Sequence, residues 1–254
     1  MTILESSTPI LAGRGLTKSY GQTEVLHHVD FEIAPGETVA IMGKSGSGKS
    51  TLLHLLAGLL RPDAGEVYFQ GSRIDSLSEP ARSSLRLANM GFVFQFGDLV
   101  PELTVRENVE LPLRLLGVPA KEARVQAAAM LDRLGIGQRG EKLLSKVSGG
   151  QAQRAAVARA LIHRPAVVFA DEPTGALDQA SGELVLEELL AAARDQQTAV
   201  VLVTHELSVA AWASRDIELV DGAIANSGSL PEVPPNEHTR TAGVANTQPQ
   251  AGTR

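Results

Sequence analysis

The chain contains no cysteine. Disulfides and thiolate zinc sites are therefore excluded, and the composition fits a reducing cytosol. No stretch approaches roughly 20 consecutive apolar residues, so the sequence holds no membrane span of its own. Its first residues, "MTILESSTPI", lack the basic start and long apolar run of a secretory signal. Basic residues are not in excess either. Lys and Arg number 23 against 29 Asp and Glu, for a formal charge of −6. Without a dominant basic face, nucleic acid is not expected as the main partner.

What is present is ordinary for a soluble enzyme. Hydrophobic residues make up 43% of the 254, charged residues 20% and aromatics 4%. That is enough apolar material for one sizeable domain, or a domain with a sub-lobe. Residues 10–20 and 23–33 read as strands about a turn at Gly21. "TVAIM" at 38–42 is short and wholly apolar, the mark of a buried central strand. "KSTLLHLLAGLL" at 49–60 carries a broad leucine stripe and reads as a helix, and "MGFVFQ" at 90–95 as a second buried strand. From about 104 to 160 the pattern is helical, with Gly117 and Gly135 closing two helices and an Ala-rich third at 151–164. Strands and helices then alternate again: "AVVFAD" at 166–171, a helix near 180–194, "TAVVLVTH" at 198–205, a short helix, and a hairpin about Asp221-Gly222. Such alternation implies a parallel sheet covered on both faces, and the helical insert implies a separate lobe at about 96–160. Residues 1–9 read as an N-terminal tail. Residues 227–254 are polar and proline-containing, and read as a disordered tail after a domain at 10–226.

Four strand ends carry polar groups suited to one site. Gly43 to Ser50 fits the phosphate-loop pattern G-x-x-x-x-G-K-[ST], placed between a buried strand and a helix as that motif requires. Gly43, Ser45, Gly46, Ser47 and Gly48 would let backbone N–H groups turn in around a β-phosphate, aided by the positive helix end. Lys49 can reach the β- and γ-phosphates, Ser50 can ligate Mg²⁺, and Thr51 can donate to the α-phosphate. Asp171 and Glu172 end an apolar strand, where open α/β sheets bind ligands. Asp171 would hold Mg²⁺ and Glu172 would act as general base toward water. Gln95 ends another strand and can touch Mg²⁺ or that water, and His205 can reach the γ-phosphate. Tyr20, before a turn, can stack on adenine, although hairpin packing explains it nearly as well.

A second glycine pair needs its own reason. "VSGGQAQR" at 147–154 puts Ser148, Gly149 and Gly150 at a helix start. An anion site is one reading and a simple serine cap is the other. A cap needs one serine and rarely two glycines, and the phosphate loop already encloses its own nucleotide. The nearest phosphate without a partner then belongs to another molecule.

Taken together, Tyr20, "GKSGSGKST", Gln95, "VSGGQ", "VVFADEP", "GALD" and His205 resemble, in order, the nucleotide-binding subunit of ABC transporters. The match spans about residues 10–225. "FVFQFGDLVPELTVRENVELPL" and "ADEPTGALDQASGELVLEELL" are similar to the exporter group that includes lipoprotein-release, macrolide-export and cell-division ATPases. The resemblance implies a P-loop NTPase core with a parallel sheet, an N-terminal antiparallel β-subdomain and an inserted α-helical subdomain. It implies an ATPase using ATP and Mg²⁺, a head-to-tail dimer around two ATP, and a membrane permease as partner at the cytoplasmic face. Ser148, Gly149, Gly150 and Gln151 would then act in trans, and Asp178 of "GALD" would link the two sites. The Gln95 region and the helical lobe would take up a helix of the permease. Val147 stands where that family has leucine, and Lys44 occupies a variable position and is expected to face solvent. An importer ATPase of the same fold remains the nearest alternative. A soluble ABC ATPase of DNA repair or translation fits less well, because such proteins carry coiled coils, zinc cysteines or fused paired domains.

Overall fold

The computed structural model describes residues 8–95 and 98–228. Of the expected tails at 1–9 and 227–254, residues 1–7 and 229–254 lie outside the described residues. Two sheets organise the chain. The first is antiparallel and joins β1 (Leu11–Tyr20), β2 (Thr23–Ile33), β4 (Ala64–Phe69) and the short β5 (Ser72–Arg73) in the order β2-β1-β4-β5. The second has the order β10-β9-β3-β8-β7-β6. It is built from β3 (Thr38–Met42), β6 (Met90–Phe94), β7 (Val167–Asp171), β8 (Ala199–Thr204), β9 (Arg215–Val220) and β10 (Ala223–Gly228). All its pairings are parallel except the terminal hairpin β9-β10.

The apolar runs explain this sheet. All six residues of β8 are buried, as a strand covered on both faces must be. Successive side chains alternate between two cores. Val168 and Ala170 of β7, with Val200 and Leu202 of β8, pack into one core with the helices. Val167 and Phe169, with Val201 and Val203, pack into the other core with Val39, Ile41 and the antiparallel sheet.

Helices α1 (Lys49–Leu56), α2 (Glu79–Asn89), α3 (Val105–Leu115), α4 (Ala120–Arg133), α5 (Gly149–Leu161), α6 (Gln179–Gln196) and α7 (Leu207–Ala210) complete the described fold. Helix α1 stops four residues short of the expected Leu60. Gly58 sits at φ 64° there, a left-handed C-terminal turn that releases Leu59 to partial exposure. Helix α5 starts two residues earlier than expected, at Gly149, with Ser148 as its N-cap. Strand β10 runs through Gly228, which pairs with Asp216, so the ordered ladder passes the expected boundary at 226 by two residues. Helix α2 has no counterpart in the sequence pattern. Its sequence is polar with a proline in the first turn, and only Arg82 is buried.

Register brings the strand ends level. Met42 pairs with Thr204, Asp171 with Val203 and Phe94 with Asp171. The next residue of each strand is therefore Gly43, His205, Glu172 or Gln95. All four emerge at one carboxyl edge of the sheet, where open α/β folds place ligands.

Candidate functional site: a nucleotide cavity and a separate glycine loop

A cavity of about 960 Å³ opens at this edge. The phosphate loop forms its floor, Tyr20 its rim, and Glu172 and His205 one wall. Gly43 and Gly48 hold positive φ of 151° and 101°. A methyl group at Gly43 would lie 2.3 Å from the Leu219 carbonyl oxygen, and one at Gly48 2.9 Å from that of Val25. The chain itself thus forbids side chains at these two positions. Gly46, at φ 82°, faces open space. Gly48 caps α1 without any side-chain hydrogen bond. The first N–H groups of that helix, from Lys49, Ser50 and Thr51, have no intrahelical partner and face an anion site. Lys49 is buried, and its ammonium donates to the carbonyl oxygens of Gly43 (2.8 Å) and Lys44 (2.9 Å). An ammonium has three donors, so one is left for a phosphate oxygen. Ser45 lines the cavity, and so does Lys44, which is exposed as expected. Ser47 does not line it. Its side chain is buried beneath the loop and its N–H donates to the Lys44 carbonyl, so it shapes the loop from below.

The acidic edge is compact. The Asp171 carboxyl accepts a hydrogen bond from Ser50, which joins the end of β7 to the first turn of α1. Burial pushes Asp171 above the ordinary carboxylate range, opposed by the Ser50 bond and the nearby His54. Glu172 follows at φ 45°, left-handed backbone that a non-glycine residue rarely adopts. Its N–H bonds the Val203 carbonyl, and its Oε1 lies 2.8 Å from His205 Nδ1. Since a carboxylate only accepts, His205 donates in this pair. Gln95 does not line the cavity wall, but it reaches the same corner. A methyl group at Gly175 would lie 2.8 Å from Gln95 Nε2 and 3.3 Å from Glu172 Oε2. The glycine of "GALD" thus lets Gln95 and Glu172 approach one another.

None of Ser148, Gly149, Gly150, Gln151 or Asp178 lines the cavity. Ser148 and Gln151 form a reciprocal capping box, each side chain accepting from the other residue's N–H. The cap is therefore real, yet it does not explain the glycines. A methyl group at Gly149 would meet nothing closer than Leu177 Cδ2 at 3.6 Å, and one at Gly150 nothing closer than Ser181 Cβ at 3.8 Å. Gly149 thus faces Leu177 of "GALD", and Gly150 faces the first turn of α6. Asp178 caps α6 through Ser181 N–H at 3.1 Å, and the Ser181 hydroxyl, together with that N–H, holds its carboxyl below the usual range.

One residue beside the site has no signal in the sequence. Gln153 is 4% exposed, and its amide donates to the carbonyl oxygens of Phe94 (3.0 Å) and Pro173 (2.7 Å). Those residues flank Gln95 and Glu172. Nothing in an Ala-rich helix marks one glutamine as buried, so pattern alone could not find it.

A phosphate loop on a parallel sheet, an acid pair at the strand end two places along and a glycine loop that its own chain leaves uncovered define a nucleotide-hydrolysing cassette. The ABC transporter family profile matches residues 26–175, and the chain belongs to this family as an ATP-binding, ATP-hydrolysing cassette. It is 48% identical to the lipoprotein-releasing system ATP-binding protein LolD of Hydrogenovibrio crunogenus, over 84% of this chain and 94% of that protein. It is 44% identical to the protein of the same name from Xanthomonas euvesicatoria pv. vesicatoria, over 91% of this chain and 94% of that one. Among solved structures it is similar to an ATP-binding cassette in a dimeric, post-hydrolysis state bound to ADP and Pi. That match has a TM-score of 0.79 and 36% identity, and covers 87% of this chain and 99% of the other. Among the described residues, no helix is long and apolar enough to cross a membrane.

Proposed function

We propose that two copies of this chain close head to tail around two ATP molecules and drive a membrane permease that releases lipoproteins. The observation that carries the dimer is the pair Gly149 and Gly150. Within the chain both positions have room for a side chain, so the demand for glycine comes from outside it. The γ-phosphate of a nucleotide bound to a second copy satisfies that demand, because the N–H groups at the start of α5 form an anion site. The dimeric cassette among the similar structures and the lipoprotein-releasing relatives support the same reading.

In this reading Lys49 and the loop N–H groups hold the β- and γ-phosphates, and Tyr20 stacks on the base. Glu172 takes the proton of the attacking water. His205 orients that carboxylate and meets the γ-phosphate as the site closes, and Gln95 aligns the water from the other side. Most of the catalysis is positioning and electrostatic stabilisation. The donor set fits Mg²⁺. The Ser50 hydroxyl, the Asp171 carboxylate and the Gln95 amide are hard oxygen ligands. Few protein ligands suffice where phosphates supply the rest, in keeping with the absence of any cluster of three or more acidic, His or Cys groups among the described residues. Ser50, Asp171 and Gln95 would hold Mg²⁺, which would supply positive charge to offset the negative charge developing on the phosphates.

For the permease, an apolar groove of about 350 Å³ lies between α2, β6, α3 and α5, with Leu87, Phe92, Phe94 and Pro112 on its walls. It suits a cytoplasmic helix of a membrane protein, which would hold the cassette peripherally on the cytoplasmic face. Purification of the full chain from its native membrane in detergent tests this. An integral membrane protein with lipoprotein-release activity should come down with it. Sedimentation with ribosomes or DNA, and no membrane protein, would sink the proposal.

A further inference from the structure

The amide of Gln153 bonds two carbonyls, one at the end of β6 and one in the turn that follows β7. One belongs to Phe94, which immediately precedes Gln95. The other belongs to Pro173, which immediately follows Glu172. The two side chains that meet at Gly175 are therefore held from behind by one buried group. Gln153 itself stands in α5, five residues beyond the cap Ser148. A second bond ties the same helix to the Gln95 segment: Arg159 Nη1 donates to the Asp98 carbonyl at 2.8 Å. Helix α5 also lies directly on β6, since a methyl group at Gly91 would stand 2.2 Å from the Ala160 carbonyl oxygen. A displacement of α5 along its axis consequently shifts the backbone on both sides of the catalytic corner.

We infer that Gln153 is a positioning residue that couples the two ATP sites of the dimer. It transmits capture of a phosphate at Ser148–Gly150, on α5, to Gln95 and Glu172 of the same chain. The inference rests on the two-cassette sandwich proposed above. There, the glycine loop of one chain serves the partner's nucleotide, whereas Glu172 and Gln95 serve its own. A rigid link from α5 to these two residues thus makes hydrolysis at one site depend on occupancy of the other. An amide suits this link, because one NH₂ group presents two donors in a plane. One goes to the Phe94 carbonyl and the other to that of Pro173.

The test uses the full-length chain with Gln153→Met, which keeps length and volume but has no donor, and Gln153→Glu, which keeps shape but only accepts when ionised. Four quantities are read: ATP affinity of the isolated subunit, ATP-driven dimerisation by light scattering, turnover, and folded fraction from Trp212 fluorescence and thermal melting. Both variants should bind ATP within about twofold of the parent, dimerise on ATP, and turn over about tenfold or more slower, the loss expected from unpairing a buried carbonyl. The defect should therefore fall on kcat and not on KM. Normal turnover in both variants overturns the coupling. So does turnover that falls only in proportion to the folded fraction, or a folded variant that fails to dimerise on ATP. Ser148→Arg runs alongside to separate this inference from its premise. If Ser148→Arg dimerises and hydrolyses normally, the sandwich itself is wrong. If Ser148→Arg is inactive while both Gln153 variants are normal, the sandwich stands and the coupling role falls.

Discussion

The phosphate loop at 43–51 and the glycine loop at 147–151 both open a helix, and both set glycine against the positive end of that helix. They solve opposite problems. In the first, Gly43 and Gly48 hold positive φ and have backbone oxygens within 3 Å of any added methyl group. The fold of this chain requires glycine there, and the helix start carries no side-chain cap. In the second, a serine caps the helix, and an added methyl group would meet nothing nearer than 3.6 Å. The fold tolerates a side chain, so the requirement proposed for glycine there is external. The comparison separates a loop built to enclose a ligand from a loop built to be offered to one.

Mutations can break this contrast in a definite order. Glu172→Gln should have the largest effect, slowing hydrolysis by roughly 10²–10⁴ while ATP binding persists. ATP-loaded dimers should then accumulate in size-exclusion chromatography, because both loops still grip the nucleotide and the chemistry is stalled. Near-normal turnover would remove Glu172 from the role of base. Next, Lys49→Ala removes a charged donor from the enclosing loop and should weaken ATP binding by about 10–100-fold, read by titration with labelled nucleotide. Smaller changes sharpen the comparison. Gly48→Ala forces a side chain into left-handed backbone and should cost about 1–3 kcal/mol of stability, seen as a lower midpoint in denaturant. The same change at Gly149 should leave the midpoint unchanged or raise it by up to about 1 kcal/mol, yet reduce ATP-driven dimerisation. Equal destabilisation at the two sites would erase the distinction.

The sheet and its site were largely legible in the sequence because each rests on local chemistry. Buried parallel strands are unbroken apolar runs, as in "TVAIM" and "AVVLVT", and their ends announce themselves with Gly43, Gln95, Asp171 and His205. Register, which the sequence does not display, then proved to place those ends level. What stayed hidden depends on tertiary contact. Helix α2 has a polar sequence and a proline beside its cap, so periodicity did not reveal it. Gly58 ends α1 early although the leucine stripe continues past it. Ser47 sits within the phosphate-loop motif but points beneath the loop, a distinction that residue type does not encode. Gln153 is one of two glutamines in α5, and only its burial between two strand ends shows its use. The pairing of His205 with Glu172 is likewise a property of space, since 33 residues separate them.

The claim that the glycine loop at 147–151 belongs to a partner's ATP is tested most directly by Ser148→Arg. ATP affinity of the isolated subunit and hydrolysis per chain would be measured on the same preparation. The predicted result is an affinity within about twofold of the parent together with loss of hydrolysis and of ATP-driven dimerisation, because a bulky cation fills the space meant for the partner's γ-phosphate. Hydrolysis per chain equal to the parent's would contradict the account and leave Ser148 as an ordinary helix cap.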